Sequence, residues 1–138
     1  MLKKVATMIE RLERAANARD LDALVDCFAP GYVNETPAHP ERGFRGHDQV
    51  RRNWERIFAA VGDLEVEVLR QVTDGDVVWS EWEHRGTRPD GSPHLMRGVV
   101  IFGVEDDRAV WGRFYLEPVE HGGPGIDAAL ARHVGGAP

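Results

Sequence analysis

The stretch "ANARDLDALVDCFAPGYV", Ala16 to Val33, changes its physical character part-way along. Good helix formers run as far as Arg19, and Asp20 then offers a side-chain oxygen as the N-cap of a second, short helix. Leu21, Leu24, Val25 and Phe28 recur on one side of that helix, Pro30 and Gly31 are expected to end it, and a short strand is expected near Tyr32. Two helices therefore meet at a tight corner and lead into a strand.

Working outward, Val5, Met8, Ile9 and Leu12 recur at helical spacing and predict an amphipathic first helix that continues to Arg19. A third helix is predicted from about His47 to Ala60, with Val50, Trp54, Ile57, Phe58 and Val61 on its inner face and Gly62 placed to end it. From Leu64 the apolar period changes to alternation, and turn signals recur in "TDGDV", "RPDGSP" and "VEDDRA". Four hairpin-joined strands follow, roughly 64–73, 77–87, 94–104 and 109–119. The piece "HLMRGVVIFGV" is apolar on both faces, as expected of a sheet covered on both sides. Residues 1–120 thus read as one domain. Residues 121–138 read as a Gly/Pro-rich tail in which "IDAALARHV" has room for a loose helix.

Helices first and an antiparallel sheet afterwards predict an α+β fold, with three N-terminal helices packed on one face of a strongly curved sheet. Long strands bent around a helix enclose a cone, so a pocket is the expected consequence.

Composition excludes several functions. With 138 residues, 42% apolar and 29% charged, the chain has the make-up of one globular domain, and no apolar run reaches the ~20 residues that span a bilayer. Its start lacks the continuous apolar stretch of a secretion signal, so the cytoplasm is the default location. A net charge of −6 weighs against nucleic acid as a partner. The single cysteine, Cys27, permits no internal disulfide and no cysteine-rich zinc site, and reads as a buried structural thiol. No HExxH or HxH spacing occurs, so neither a metal nor a cofactor is expected.

The order of elements, with "ANARDLDALVDCFAPGYV" leading into a short strand, "FRGHDQVRRNWERIF" leading out and "DDRAVWGRFYLEPV" as a closing hairpin, resembles the NTF2-like superfamily, particularly its SnoaL-like members. The resemblance covers about residues 5 to 119 and implies the cone fold. It is weaker on the reaction, because the fold hosts isomerases, cyclases, dehydratases, epoxide hydrolases and noncatalytic proteins. In the limonene epoxide hydrolase members a Tyr-x-Asn on the first short strand helps to hold the attacking water, and "YVN" presents Tyr32 and Asn34 in that pattern. Where those hydrolases need an Arg-x-Asp on a central strand and an aspartate on the last, this chain is read as having Trp82, His84 and Arg113. Val99 is read at the position of the ketosteroid isomerases' oxyanion-hole aspartate.

On "VVWSEWEHRGT" the alternation puts Ser80, Trp82 and His84 on one face, which suits a pocket wall with an imidazole able to move protons near neutral pH. A hydrogen-bonded structural histidine is the plain alternative. The turn "RPDGS" suits a pairing of Arg88 with Ser92 that sets His84 opposite Met96; a slip of one residue sets it opposite Arg97. The slipped register, which the resemblance favours, is adopted here. It turns Leu95, Arg97 and Val99 to the pocket and leaves Met96, Val100 and Phe102 outside as an apolar face that predicts a homodimer. On the last strand Arg113 is a candidate to hold a carboxylate or enolate oxygen, or else to pair with a glutamate. Tyr115 is a candidate oxyanion donor or a buried aromatic. His39, in "TPAHPERG", lies in a loop expected to cover the pocket mouth.

The expected function is cofactor-independent proton transfer (cyclisation, isomerisation or dehydration) on a small, apolar, oxygenated metabolite such as a polyketide or terpenoid. His84, Tyr32, Asn34 and Arg113 are the catalytic candidates; Trp54, Trp82, Arg97, Val99, Tyr115 and His39 are the substrate-binding ones. An epoxide hydrolase with altered residues and a noncatalytic binding or dimerising module are the alternatives.

Overall fold

The computed structural model describes residues 4–136, with side chains from Met8 onward; the Val5 side chain lies outside the described residues. Helices α1 (Lys4–Ala18) and α2 (Leu21–Asp26) meet at Arg19, which adopts a positive φ of 56°, and Asp20 caps α2 by accepting from the Ala23 N–H. The helix stops before Phe28, earlier than Pro30 predicts. Cys27 O accepts from the Ala109 N–H, and Phe28 already pairs as the first residue of β1 (Phe28–Glu35). The pull of a sheet partner outweighs helix continuation here, and Pro30 falls within a register irregularity of the strand between Phe28 and Val33.

A 3-10 turn (Pro40–Arg42) and the two-residue strand β2 (Phe44–Arg45) lead to α3 (His47–Ala60), the span predicted from its apolar stripe. Strands β3 (Glu65–Asp74), β4 (Val77–Thr87), β5 (Pro93–Glu105) and β6 (Arg108–Pro118) follow as hairpins, and α4 (Ile126–Val134) ends the described chain. The six strands form one curved, unclosed sheet in the order β2-β1-β6-β5-β4-β3. Every neighbouring pair is antiparallel except β1 with β6, which run parallel; residues far apart in sequence thereby bring the Tyr32 strand beside the last one.

The core lies between the helices and the concave face of the sheet, where Met8, Ile9, Leu24, Tyr32, Leu64, Val78 and Phe102 are essentially inaccessible. Helix α1 also satisfies the open edge of β3. Asn17 accepts from Val66 N at 2.8 Å and donates to Val66 O at 2.9 Å, and Glu13 accepts from Val68 N at 2.9 Å. Unpaired edge groups are a liability in any sheet, and these side chains stand in for a further strand.

Register is the main departure from expectation. The Arg88 N–H donates to Ser92 O at 2.9 Å, and His84 faces Met96, not Arg97. A one-residue slip reverses every side chain on a strand. Met96, Val100 and Phe102 are therefore on the concave side, with Val100 and Phe102 buried, and Arg97 and Val99 are on the convex side. The convex apolar face is built instead from Val77, Trp79, Val99, Ile101, Trp111 and Tyr115, of which Trp79 is 51% exposed.

Candidate active site

Helical spacing puts Val50, Asn53, Trp54 and Ile57 of α3 over the sheet, while alternation turns Tyr32 and Asn34 of β1, His84 of β4, Met96 of β5, and Phe114 and Leu116 of β6 toward them. Together with Phe28, Phe44 and Val61 they enclose a cavity of about 540 Å³. Its wall is mostly apolar, and no carboxylate lines it. A separate hollow at the α1–β3 corner, about 390 Å³, contains Arg19, whose guanidinium donates to the carbonyls of Val61, Gly62 and Leu64 and so ties the corner together.

His84 is the most unusual group in the cavity. It is buried, with its ring 6.0 Å from Trp54 and 5.8 Å from Trp82, and neither ring nitrogen has a hydrogen-bond partner among the described residues. Burial, helped by nearby His94, pushes its pKa from 6.5 down to about 4. A buried, mostly apolar site disfavours the charged imidazolium, so His84 is neutral at neutral pH. Its state is that of a base or a neutral donor, not of a resident acid.

Opposite in kind is the Tyr32–Asn34 pair. The Tyr32 hydroxyl donates to Asn34 Oδ1 at 2.7 Å, and burial pushes the phenol pKa upward, keeping it protonated. Asn34 therefore has its oxygen occupied and its amide N–H groups left as donors. Gly112 makes this possible, because a Cβ there would overlap the Tyr32 hydroxyl. Trp82 stands behind His84 and does not line the cavity; its Nε1–H donates to Ser80 Oγ, which donates to Val100 O, each at 2.8 Å.

The remaining predicted residues lie elsewhere. Arg113 is on the convex face, where it donates to Glu35 at 3.0 Å and lies over the Trp111 ring. Tyr115 is beside it, 42% exposed. Arg97 lies 3.7 Å from Glu83 on that same side, and Val99 is in the convex apolar patch. All four follow from the registers Glu83↔Arg97, Val99↔Tyr115 and Ile101↔Arg113, which turn the odd-numbered set of β6 outward. His39 is held against Glu117 at 3.2 Å, on the loop, and does not line the cavity. Asn53, Met96, Phe114, Leu116, Arg42 and Arg56 do line it and were not anticipated. A polar residue one helical turn after Val50 was the available signal for Asn53.

Cys27 is fully buried, its pKa pushed up to about 11 chiefly by burial, so it is an inert thiol. Among the described residues no group of three or more His, Cys, Asp or Glu side chains is placed to hold a metal ion, and no helix is long and apolar enough to cross a membrane.

The model of the SnoaL-like domain matches residues 9–111. The chain belongs to the SnoaL-like domain family. Solved structures similar to this SnoaL-like chain include IdmH from Streptomyces antibioticus, a candidate polyketide cyclase, at 26% identity and a TM-score of 0.67 over 80% of this chain and 90% of that one. An LEH-like epoxide hydrolase from M. tuberculosis is 20% identical, with a TM-score of 0.71 over 83% of this chain and 84% of the other. A candidate polyketide cyclase from Sinorhizobium meliloti is 24% identical, with a TM-score of 0.63 over 80% and 94%. The last two share the NTF2-like cone fold with this SnoaL-like chain. No curated protein matches the sequence.

Proposed function

We propose that this SnoaL-like protein is a cofactor-independent enzyme that moves a proton on a small apolar carbonyl compound, as in cyclisation, isomerisation or dehydration of a polyketide- or terpenoid-like metabolite. The observation that carries this reading is a neutral imidazole without a protein partner, buried in an apolar cavity that also holds an oriented amide donor. The similarity to IdmH, a candidate polyketide cyclase, points the same way.

In this reading His84 removes a proton from carbon and returns it to another atom. Asn34 donates to the carbonyl oxygen as it gains negative charge, and Tyr32 holds the Asn34 amide for that task. The cation formed on His84 and the enolate face each other in a mostly apolar site, where their attraction is stronger than in water. A base whose pKa is near 4 in the empty site is weak, which favours a carbon acid flanked by two carbonyl groups. Copies pair through the convex face of Trp79, Val99, Trp111 and Tyr115, where a lone domain leaves Trp79 and Tyr115 exposed.

The experiment is carbon-bound hydrogen exchange. A panel of cyclic and linear 1,3-dicarbonyl compounds is incubated in D₂O and followed by proton NMR, with the His84→Gln variant alongside. Saturable exchange above buffer, lowered about 10²- to 10⁴-fold in the variant, is expected. Binding of the panel without exchange would leave a noncatalytic binding protein.

A second reading, epoxide hydrolysis, is favoured specifically by the Tyr32–Asn34 bond, since that pair holds water in the relatives that have it. It requires His84 to act in place of a carboxylate. Incorporation of ¹⁸O from labelled water into a diol product separates the two.

A further inference from the structure

Two of the residues that line the cavity, Arg42 and Arg56, are arginines with no carboxylate partner among the described residues. Arg42, in the 3-10 turn, and Arg56, on α3, are both exposed and both line the cavity, so they stand where it meets solvent. Among the described residues neither has a salt bridge or a side-chain hydrogen bond. Several other arginines of the fold are held by partners. Arg51 on the same helix pairs with Asp22 at 2.9 Å, Arg52 is held by Gln49 at 2.6 Å, and Arg113 takes Glu35, the carboxylate at the end of β1. Glu117 is engaged by His39. Asn53, one turn before Arg56, accepts from Gln49 Nε2 at 2.8 Å through its Oδ1, which leaves its amide N–H groups free beside the cavity.

We infer that the substrate carries an anionic group, a carboxylate or an equivalent oxyanion, on its apolar body, and that Arg42 and Arg56 with Asn53 receive it. This rests on the reading of the cavity as a substrate site and adds its charge selectivity. The protein is acidic as a whole, at −6, so two unpaired cations lining a cavity that no carboxylate lines form a local reversal of sign. Guanidinium groups match the geometry of a carboxylate with paired N–H donors, and an ionised acceptor makes those hydrogen bonds stronger than a neutral one does. The apolar wall below takes the body of the ligand and the arginines fix which end enters first. Asn34 and His84 then meet the inner end. Both arginines come from elements separate from the sheet, so the charge selection and the chemistry are carried by different parts of the fold.

The test uses two probes with one ring system, 2-naphthoate and its neutral counterpart 2-naphthalenemethanol, titrated against the full chain by tryptophan fluorescence, with isothermal calorimetry as the second measurement. The naphthoate is expected to bind about tenfold more tightly at low salt, and the preference to shrink as ionic strength rises toward about 0.5 M. In the Arg42→Gln, Arg56→Gln double variant the preference should vanish while the alcohol binds as before. Circular dichroism and the melting temperature check that this variant is folded, and each single variant should lose part of the preference. Equal binding of the two probes, or a preference that survives in the folded double variant, overturns the anion assignment and leaves the cavity reading intact. Failure of both probes to bind overturns the cavity reading and this inference with it.

Discussion

Acid should weaken the wild-type fold more than it weakens a variant in which His84 is replaced by glutamine. The folded pKa of His84 is about 4 against 6.5 for the free side chain, with burial as the main cause and His94 adding to it. Between those two values the unfolded chain binds a proton at this site and the folded chain does not. Stability at this site is thus complete above about pH 7 and is lost as pH falls from 6.5 toward 4, the sign expected for a histidine buried neutral. The shift sets a ceiling of about 3 kcal/mol, of which about 2 kcal/mol is already lost at pH 5. Glutamine does not titrate, and its own packing cost is the same at both pH values, so it cancels in the comparison. Urea unfolding of both proteins is followed by tryptophan fluorescence at about pH 7.5 and about pH 5, at one protein concentration so that any subunit association is held constant. The wild type should lose about 2 kcal/mol more than the variant over that interval. Equal losses would mean that His84 titrates as a solvated histidine, and the buried, neutral base on which the proposed chemistry depends would be gone.

The same low pKa places the acid limb of kcat/KM for the free enzyme near pH 4 instead of near 6.5, once a substrate is known; an inflection at 6.5 that persists in His84→Gln would assign the base elsewhere. Tyr32→Phe frees the Asn34 amide from its fixed orientation, so Tyr32→Phe and Asn34→Ala should each lower turnover, and the double variant should be little worse than Asn34→Ala, measured as a double-mutant cycle. Gly112→Ala forces the Tyr32 hydroxyl from its place and should cost about 1–3 kcal/mol of stability by urea titration, with relief when combined with Tyr32→Phe. Light scattering at micromolar concentration should give twice the 15.4 kDa chain mass, and Trp79→Arg on the convex face should halve it; a 15.4 kDa wild-type particle would contradict pairing through that face.

Local signals carried a great deal of this architecture. The apolar stripe of "HDQVRRNWERIFAA" defines α3, although Val61 and not Gly62 caps its end, the alternation of "VVWSEWEHRGT" defines β4, and Asp20 caps α2 as its position in the sequence suggests. These elements depend on contacts within one turn or one hairpin, so composition and spacing decide them. Ser80, Trp82 and His84 share a face for the same reason, and so do Tyr32 and Asn34.

Which face meets the cavity is a different kind of fact. On β6 the sequence separates Gly112, Phe114 and Leu116 from Trp111, Arg113, Tyr115 and Glu117, but both sets contain aromatic side chains, and periodicity alone does not say which is inside. On β5 the run "GVVIFGV" is apolar on both sides, so a slip of one residue costs nothing that a pattern can detect. The sheet settles it through pairing: the Arg88–Ser92 turn sets β4 against β5, β5 sets β6, and the parallel contact of β6 with β1 brings Gly112 under the Tyr32 hydroxyl. Sequence by itself therefore determined α3, the four hairpin strands and the shared face of Ser80, Trp82 and His84. Only the tertiary structure decided that Arg97, Val99, Arg113 and Tyr115 face outward and that Arg42 and Arg56 line the same cavity, because those placements depend on contacts between segments far apart in the chain.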